Sequence, residues 1–196
     1  MLVEDFAQPL SVAAAMVGFK RPWCVAGGWA IDLWLGQVTR DHFGVDIAVL
    51  RDHQLELRQH LAEFTFKIAA TQGRPVVWKD ANQMLMLPVH ELFAADRVTG
   101  RAWRIFLDEA DGIDWYDRRC ADIRMNLTGW RWHGAANVPV LNPLIVLLHK
   151  SRRPEPKDEL DFHLAVERLT QQQKSWLSVA LLRVDAEHPW INLLSA

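Results

Sequence analysis

The order of apolar and polar positions predicts alternating helices and strands, then a run of short strands, then helices. Pro9 to Val17 reads as a first helix, with Ser11 near its start. Trp23 to Ala26 is a short apolar run followed by Gly27-Gly28, a strand turning into a helix. Trp29, Ile31, Leu33 and Trp34 carry bulk at helical spacing, and the pattern stops at Gly36. Val45 to Leu50 is β-rich and predicts a strand. "DHQLELRQHLAEF" follows as a helix with Leu55, Leu57 and Leu61 toward its buried side.

The middle changes character. "EFTFKIAA", "PVVWKD", "MLMLPVHELFA" and "RAWRIFLDEA" are short runs broken by Gly73, Pro75, Asp80, Asn82 and Gly100. They predict strands and hairpins, the last pair joined near "DRVTG", with "IRMNLTGWRWHG" and "NVPVL" as further edge strands. From Asn142 the helical pattern returns. Asn142 is a candidate N-cap with Pro143 at the first helical position. "PLIVLLHK" precedes a basic, proline-rich break, "SRRPEP", and "KDELDFHLAVERL", "TQQQKSWLSVALLRV" and "HPWINLL" complete the helices. The expected fold is α+β, a mixed sheet flanked by helices with a small helical C-terminal part. The expected domains are residues 1–140 and 141–196.

Composition narrows the function. The chain has 196 residues and is 50% hydrophobic, enough for a sizeable core. Its formal charge of -2 argues against a duplex DNA binder, whose footprint is strongly basic. Cys24 and Cys120 are too few for a disulfide framework or a cysteine zinc site, and are expected to be buried thiols in a reducing compartment. No signal peptide is expected, and no stretch approaches the roughly 18 apolar residues of a membrane span. A cytoplasmic protein with no membrane partner is therefore expected. Most of the ten tryptophans are expected in the core or lining a groove.

Candidate chemistry gathers at the first strand–helix turn. A glycine pair there lets backbone approach a ligand, and the helix start offers free N–H groups to a phosphate; a tight turn is the competing reading. Arg40 and His42 precede the next strand, and Asp46 lies on it. Residues 44 and 46 share a strand face. Acids at both would hold divalent cations against a nucleoside triphosphate, with a third acid on a neighbouring strand activating the attacking hydroxyl. Position 44, however, is glycine. Asp41 could replace the missing acid only if its loop bends inward.

"GGWAIDLWLGQVTRDHFGVDIAVLRDHQ" resembles the opening motif of the aminoglycoside and lincosamide nucleotidyltransferase-like proteins, within the DNA-polymerase-β-type nucleotidyltransferase superfamily. There a Gly-Gly turn and helix lead to Thr-Arg-x-His-x-Asp-x-Asp. Gly27, Gly28, Thr39, Arg40, His42 and Asp46 match; Gly44 stands at the first Asp. "WRIFLDEADGIDWYDRRCADIR", "VLNPLIVLLHKSRRPEPKDELDF" and "AEHPWINLL" resemble later segments, so nearly the whole chain is covered.

The resemblance implies a nucleotidyltransferase-type sheet. It implies Mg²⁺-dependent transfer of a nucleoside monophosphate from ATP or another triphosphate to a small-molecule hydroxyl. Asp46 would hold metal and Gly27-Gly28 would seat phosphate. Arg40, His42, Lys150 and Lys157 would serve the nucleotide. The third acid is Asp108 or Glu109, at the end of "WRIFLDE"; alternation leaves the choice open, and the resemblance leans toward Glu109, also as a metal ligand. Arg104, Phe106 and Asp108 share one face of that strand. The acids from Asp108 to Asp117 hint at a cationic acceptor such as an aminoglycoside. The alternative is a catalytically degraded member that binds nucleotide or a protein partner, in a defence or toxin–antitoxin setting.

Overall fold

The computed structural model describes residues 6–70 and 73–195. Helix α1 (Ala7–Ala15) precedes strand β1 (Trp23–Ala26), which runs straight into α2 (Gly27–Leu35). Strand β2 (Val45–Leu50) leads through a single 3-10 turn to α3 (Gln54–His60). Strands β3 (Phe64–Ile68), β4 (Val76–Val77), β5 (Glu91–Asp96), β6 (Ala102–Asp111), β7 (Asp114–Asp117) and β8 (Cys120–Asn126) follow. A short α4 (Leu127–Trp130), β9 (Arg131–His133) and β10 (Pro139–Leu141) precede α5 (Pro143–Lys150), α6 (Pro156–Val166), α7 (Gln171–Val184) and α8 (Trp190–Leu194).

The sheet order is β4-β3-β5-β6-β2-β1-β10-β9, with β7 pairing the far end of β6 and β8 pairing β7. It is mixed, as expected: β2 is antiparallel to β1 and parallel to β6. Central β2 is covered on both faces, which is why it reads as an almost unbroken apolar run. Asp46 is its single half-exposed position. Helix α2 ends at Gly36 in the left-handed region (φ 76°), whose N–H bonds the Asp32 carbonyl. Asn142 does cap α5, its side chain accepting from the Leu144 N–H. Residues Pro143 to Leu148 of that helix are all buried, so α5 forms the seam between sheet and C-terminal helices. Phe162 of α6 stacks on Trp190 of α8 at 4.1 Å and closes that end.

Several expectations need correction. Helix α2 begins at Gly27, so the glycine pair is its first turn. "NVPVL" is no edge: β10 sits inside the sheet, parallel to β1. "MLMLPVHELFA" contributes only β5, because Leu85 gives its backbone to side chains. Its N–H donates to Gln54 Oε1 and its carbonyl accepts from Arg51 and Gln54. The stretch from Asp108 to Asp117, whose acids hinted at a cationic acceptor, holds β7, with Trp115 and Asp117 buried. Of the two cysteines, Cys24 is buried and Cys120 half-buried; both are free thiols.

Candidate active site

A cleft of about 830 Å³ opens where the N-terminus of α2 faces β2 and β6. Its geometry demands the glycines. Gly27 leaves β1 at φ 62°, and a Cβ there would strike the Asp46 carboxylate. A Cβ on Gly28 would strike the Arg40 guanidinium. Antiparallel register sets Asp46 opposite Ala26, the residue just before the turn. The Asp46 carboxylate therefore projects beside the first turn of α2, whose leading N–H groups have no partner within the helix. The aspartate and the phosphate-seating turn that the sequence implies do converge on one cleft.

The rest of the Thr-Arg-x-His pattern is a structural clamp. Buried Asp32 of α2 accepts from the Thr39 hydroxyl, from the Thr39 N–H at 3.1 Å and from His42 Nε2 at 2.7 Å. Arg40 Nη1 lies 3.1 Å from His42 Nδ1. An arginine can only donate, so Nδ1 accepts and the His42 proton sits on Nε2. Arg40 reaches across to α6 and grips Asp161 with two 2.8 Å bonds. Lys150 pairs with the same Asp161 at 2.9 Å and with Asp158. Arg40, His42 and Lys150 do border the cleft, but each is already held by a carboxylate or by its neighbour. Lys157 pairs with Glu155 at 2.6 Å on the exposed rim. Asp32 and Asp161, which organise this cluster, were absent from the sequence candidates. The signal was available for Asp32, an acid between Ile31 and Leu33 in an otherwise apolar helix. Asp158 instead completes a capping box at the start of α6, accepting from the Glu155 N–H at 3.1 Å.

A Mg²⁺ ion in such a site is held by one or two carboxylates together with substrate phosphates. The residues here do not fit it. Gly44 supplies no donor, and a side chain at that position would enter open space. Asp41 does not line the cleft. The third acid would have to stand beside Asp46 on the neighbouring strand, and the parallel register puts Arg104 there. Its Nε and Nη2 donate to the two Asp46 oxygens at 2.8 and 2.7 Å. That contact holds the Arg104 guanidinium above its usual pKa, with the Asp46 hydrogen bond as the largest cause, and partial burial opposing it. Among the described residues, no group of three or more His, Cys, Asp or Glu is placed to hold a metal.

Asp108 and Glu109 border the same cleft as Asp46, but neither stands beside it. Asp108 is in register with Leu50, four residues along from the Asp46–Arg104 pair. At the strand rise of about 3.3 Å per residue that is roughly 13 Å, too far for one cation to bridge. Glu109 lies one residue further and is buried against Arg51, accepting from Nε at 2.8 and 3.0 Å and from Nη2. The implied pairing of Asp46 and Glu109 around a metal is thus corrected by register.

Asp108 is buried beneath two indoles, accepting from Trp130 at 2.7 Å and Trp115 at 3.2 Å. Burial raises its pKa from 3.8 to about 6, against the two indole bonds. A raised folded-state value means that stability is fullest below the unfolded pKa. It falls as pH rises from about 4 to about 6, by about 3 kcal/mol in all. Asp108→Asn keeps an acceptor for both indoles and removes the buried charge. Thermal melts from pH 4 to 8 should show the variant melting higher than the parent at pH 7–8 and no higher at pH 4. A parent whose melting temperature does not fall across that window contradicts the assignment.

Part of the acidic stretch is occupied within the fold. Asp117 is buried under Arg119, accepting from its backbone N–H at 2.8 Å, and Asp111 pairs with Arg124 at 3.3 Å. The charges left free at the cleft are mostly positive, with Glu91 as a loosely held carboxylate 4.0 Å from Arg104. Among the described residues Arg118, Arg152 and Arg153 border it and have no carboxylate within 4.0 Å. The Arg118 guanidinium is held below its usual pKa by partial burial and then by the neighbouring Arg119 charge. An anion would relieve that repulsion.

Taken together, the mixed sheet, the strand-to-helix Gly-Gly turn and Asp46 beside it define a nucleotidyltransferase-type fold. Solved structures agree at the level of fold. The antibiotic-resistance factor ANT(2'')-Ia in solution superposes with a TM-score of 0.60 at 17% identity, over 96% of both chains. The complex of ANT(2'')-Ia with adenylyl-2''-tobramycin gives 0.57 at 16% identity, over 91% of this chain and 96% of that one. The lincomycin-bound lincosamide adenylyltransferase LnuA gives 0.55 at 14% identity, over 84% and 96%. Residues 10–124 match the family model for aminoglycoside-2''-adenylyltransferase, and the chain belongs to that family of antibiotic-modifying nucleotidyltransferases. No curated protein shows significant sequence similarity to it. Among the described residues no helix is long and apolar enough to cross a membrane.

Proposed function

We propose that this chain binds a nucleoside triphosphate, ATP or another, with its phosphates between the first turn of α2 and the cations at 118–119 and 150–157. The observation that carries this reading is the convergence of Gly27, Gly28 and Asp46 on one cleft that Arg118, Arg152 and Arg153 also border. In this reading the helical part from residue 141 onward is a subdomain that provides the basic wall. A hydroxyl-bearing small molecule of the antibiotic type would enter through the open mouth. Two of the solved structures similar in fold hold such molecules: lincomycin in one, adenylyl-2''-tobramycin in the other. Family membership supports transfer of the nucleoside monophosphate to that hydroxyl, with pyrophosphate leaving. No step through Mg²⁺ is derived, because Gly44 and Arg104 stand where its ligands would be.

A second reading, nucleotide binding without transfer, is favoured by that same Asp46–Arg104 contact. One experiment separates the two. Purified protein is mixed with Mg²⁺, labelled ATP and a panel of aminoglycosides and lincosamides, and pyrophosphate release is followed, with Gly44→Asp run in parallel. Turnover by the native chain supports transfer. ATP binding with no turnover supports the binder. Absence of any ATP binding overturns both.

A further inference from the structure

We infer that Arg104 takes the place of the divalent cation, so that this cleft binds a nucleoside triphosphate without metal; the inference rests on the nucleotide reading above. Three observations carry it. Asp46 has two cross-strand neighbours, Ala26 and Arg104, and only the second bears charge. Position 44, on the same face, offers no donor. Arg104 is also accessible, its side chain 45% exposed and its guanidinium lying over the Phe106 ring at 5.1 Å.

The donor arithmetic leaves room for a ligand. A guanidinium carries five N–H groups in a planar fork that matches phosphate oxygens. Two nitrogens of Arg104 hold Asp46, while Nη1 stands 4.0 Å from Glu91, beyond hydrogen-bond distance. The remaining N–H groups are free to meet a phosphate seated at the first turn of α2. Asp46 cancels much of the Arg104 charge, so the neutralisation that Mg²⁺ supplies elsewhere must come from several cations. Arg118, Arg152 and Arg153, unpaired among the described residues, provide it on the opposite wall. Asp46 then serves as a positioning residue: it aims the guanidinium rather than binding metal.

Calorimetric titration of ATP into the native chain, Arg104→Ala and Asp46→Asn tests this, each in EDTA and in Mg²⁺, with circular dichroism as the folding control. The native chain is expected to bind equally in both buffers. Arg104→Ala should weaken binding in EDTA about 10- to 100-fold, the loss of charge-assisted hydrogen bonds. Asp46→Asn should tighten binding in both buffers, because the guanidinium loses its competing carboxylate and the phosphates lose a repelling charge. A metal-ligand role predicts the opposite sign for that variant. Native binding that requires Mg²⁺, or binding lost in folded Asp46→Asn, overturns the inference and leaves the nucleotide reading standing. A native chain that binds no ATP in either buffer overturns both.

Discussion

Asp161→Ala is expected to lower stability by about 3–5 kcal/mol, the cost of breaking a buried ion pair from one side. The Asp161 side chain has no solvent exposure, and its partners are nearly covered: Arg40 at 16% and Lys150 at 11%. Removing the acid leaves two cations facing each other in the wall of the cleft. Lys150 retains Asp158, but Arg40 loses its carboxylate, and its remaining contacts are the Asp41 carbonyl and His42 Nδ1. Chemical denaturation should show the loss directly. Cutting the exposed Lys157–Glu155 pair at the rim should cost less than about 1 kcal/mol, because both groups return to water. A variant at position 161 as stable as the parent would mean that Arg40 and Lys150 are free to serve a ligand, as the resemblance implied. Because this pair joins α6 to the loop before β2, local opening of α6 should also appear as faster amide exchange there.

Glu109→Gln is expected to act as a stability lesion of similar size, with nucleotide affinity unchanged. Arg51 is 6% exposed and, among the described residues, has Glu109 as its carboxylate partner. The same guanidinium donates to the Leu85 carbonyl at 2.8 Å, and Gln54 holds both backbone groups of Leu85. The acid therefore anchors the segment between β4 and β5 through Arg51. Replacing it strands a buried positive charge, at about 3–5 kcal/mol. Denaturant melts combined with ATP titration distinguish this from a catalytic role. A variant of parental stability that no longer binds ATP would return Glu109 to the nucleotide site.

Both predictions turn on residues whose type was legible and whose partners were not. Glu109 and Asp108 sit next to each other at the end of one strand, and alternation alone could not separate them. Register set both away from Asp46, by placing Asp108 beside Leu50 and Arg104 beside Asp46. Asp161 lies 121 positions from Arg40, a separation that leaves no local trace of their contact. The acidic run before Asp117 looked like a surface for a cationic acceptor. Asp108 turned out to be held by two indoles, Asp117 by Arg119 and Asp111 by Arg124.

Local physics explains what could be read without coordinates. Strands β1 and β2, the Gly36 stop of α2, the Asn142 cap and the glycine turn depend on neighbours a few residues away. Period, capping and the freedom of glycine therefore reveal them. Membership of the antibiotic nucleotidyltransferases followed from the same local motif. The content of the cleft was decided by the sheet, because strand pairing chooses cross-strand neighbours over separations of tens of residues. That choice set a guanidinium, where an acid was expected, against the one carboxylate of the motif.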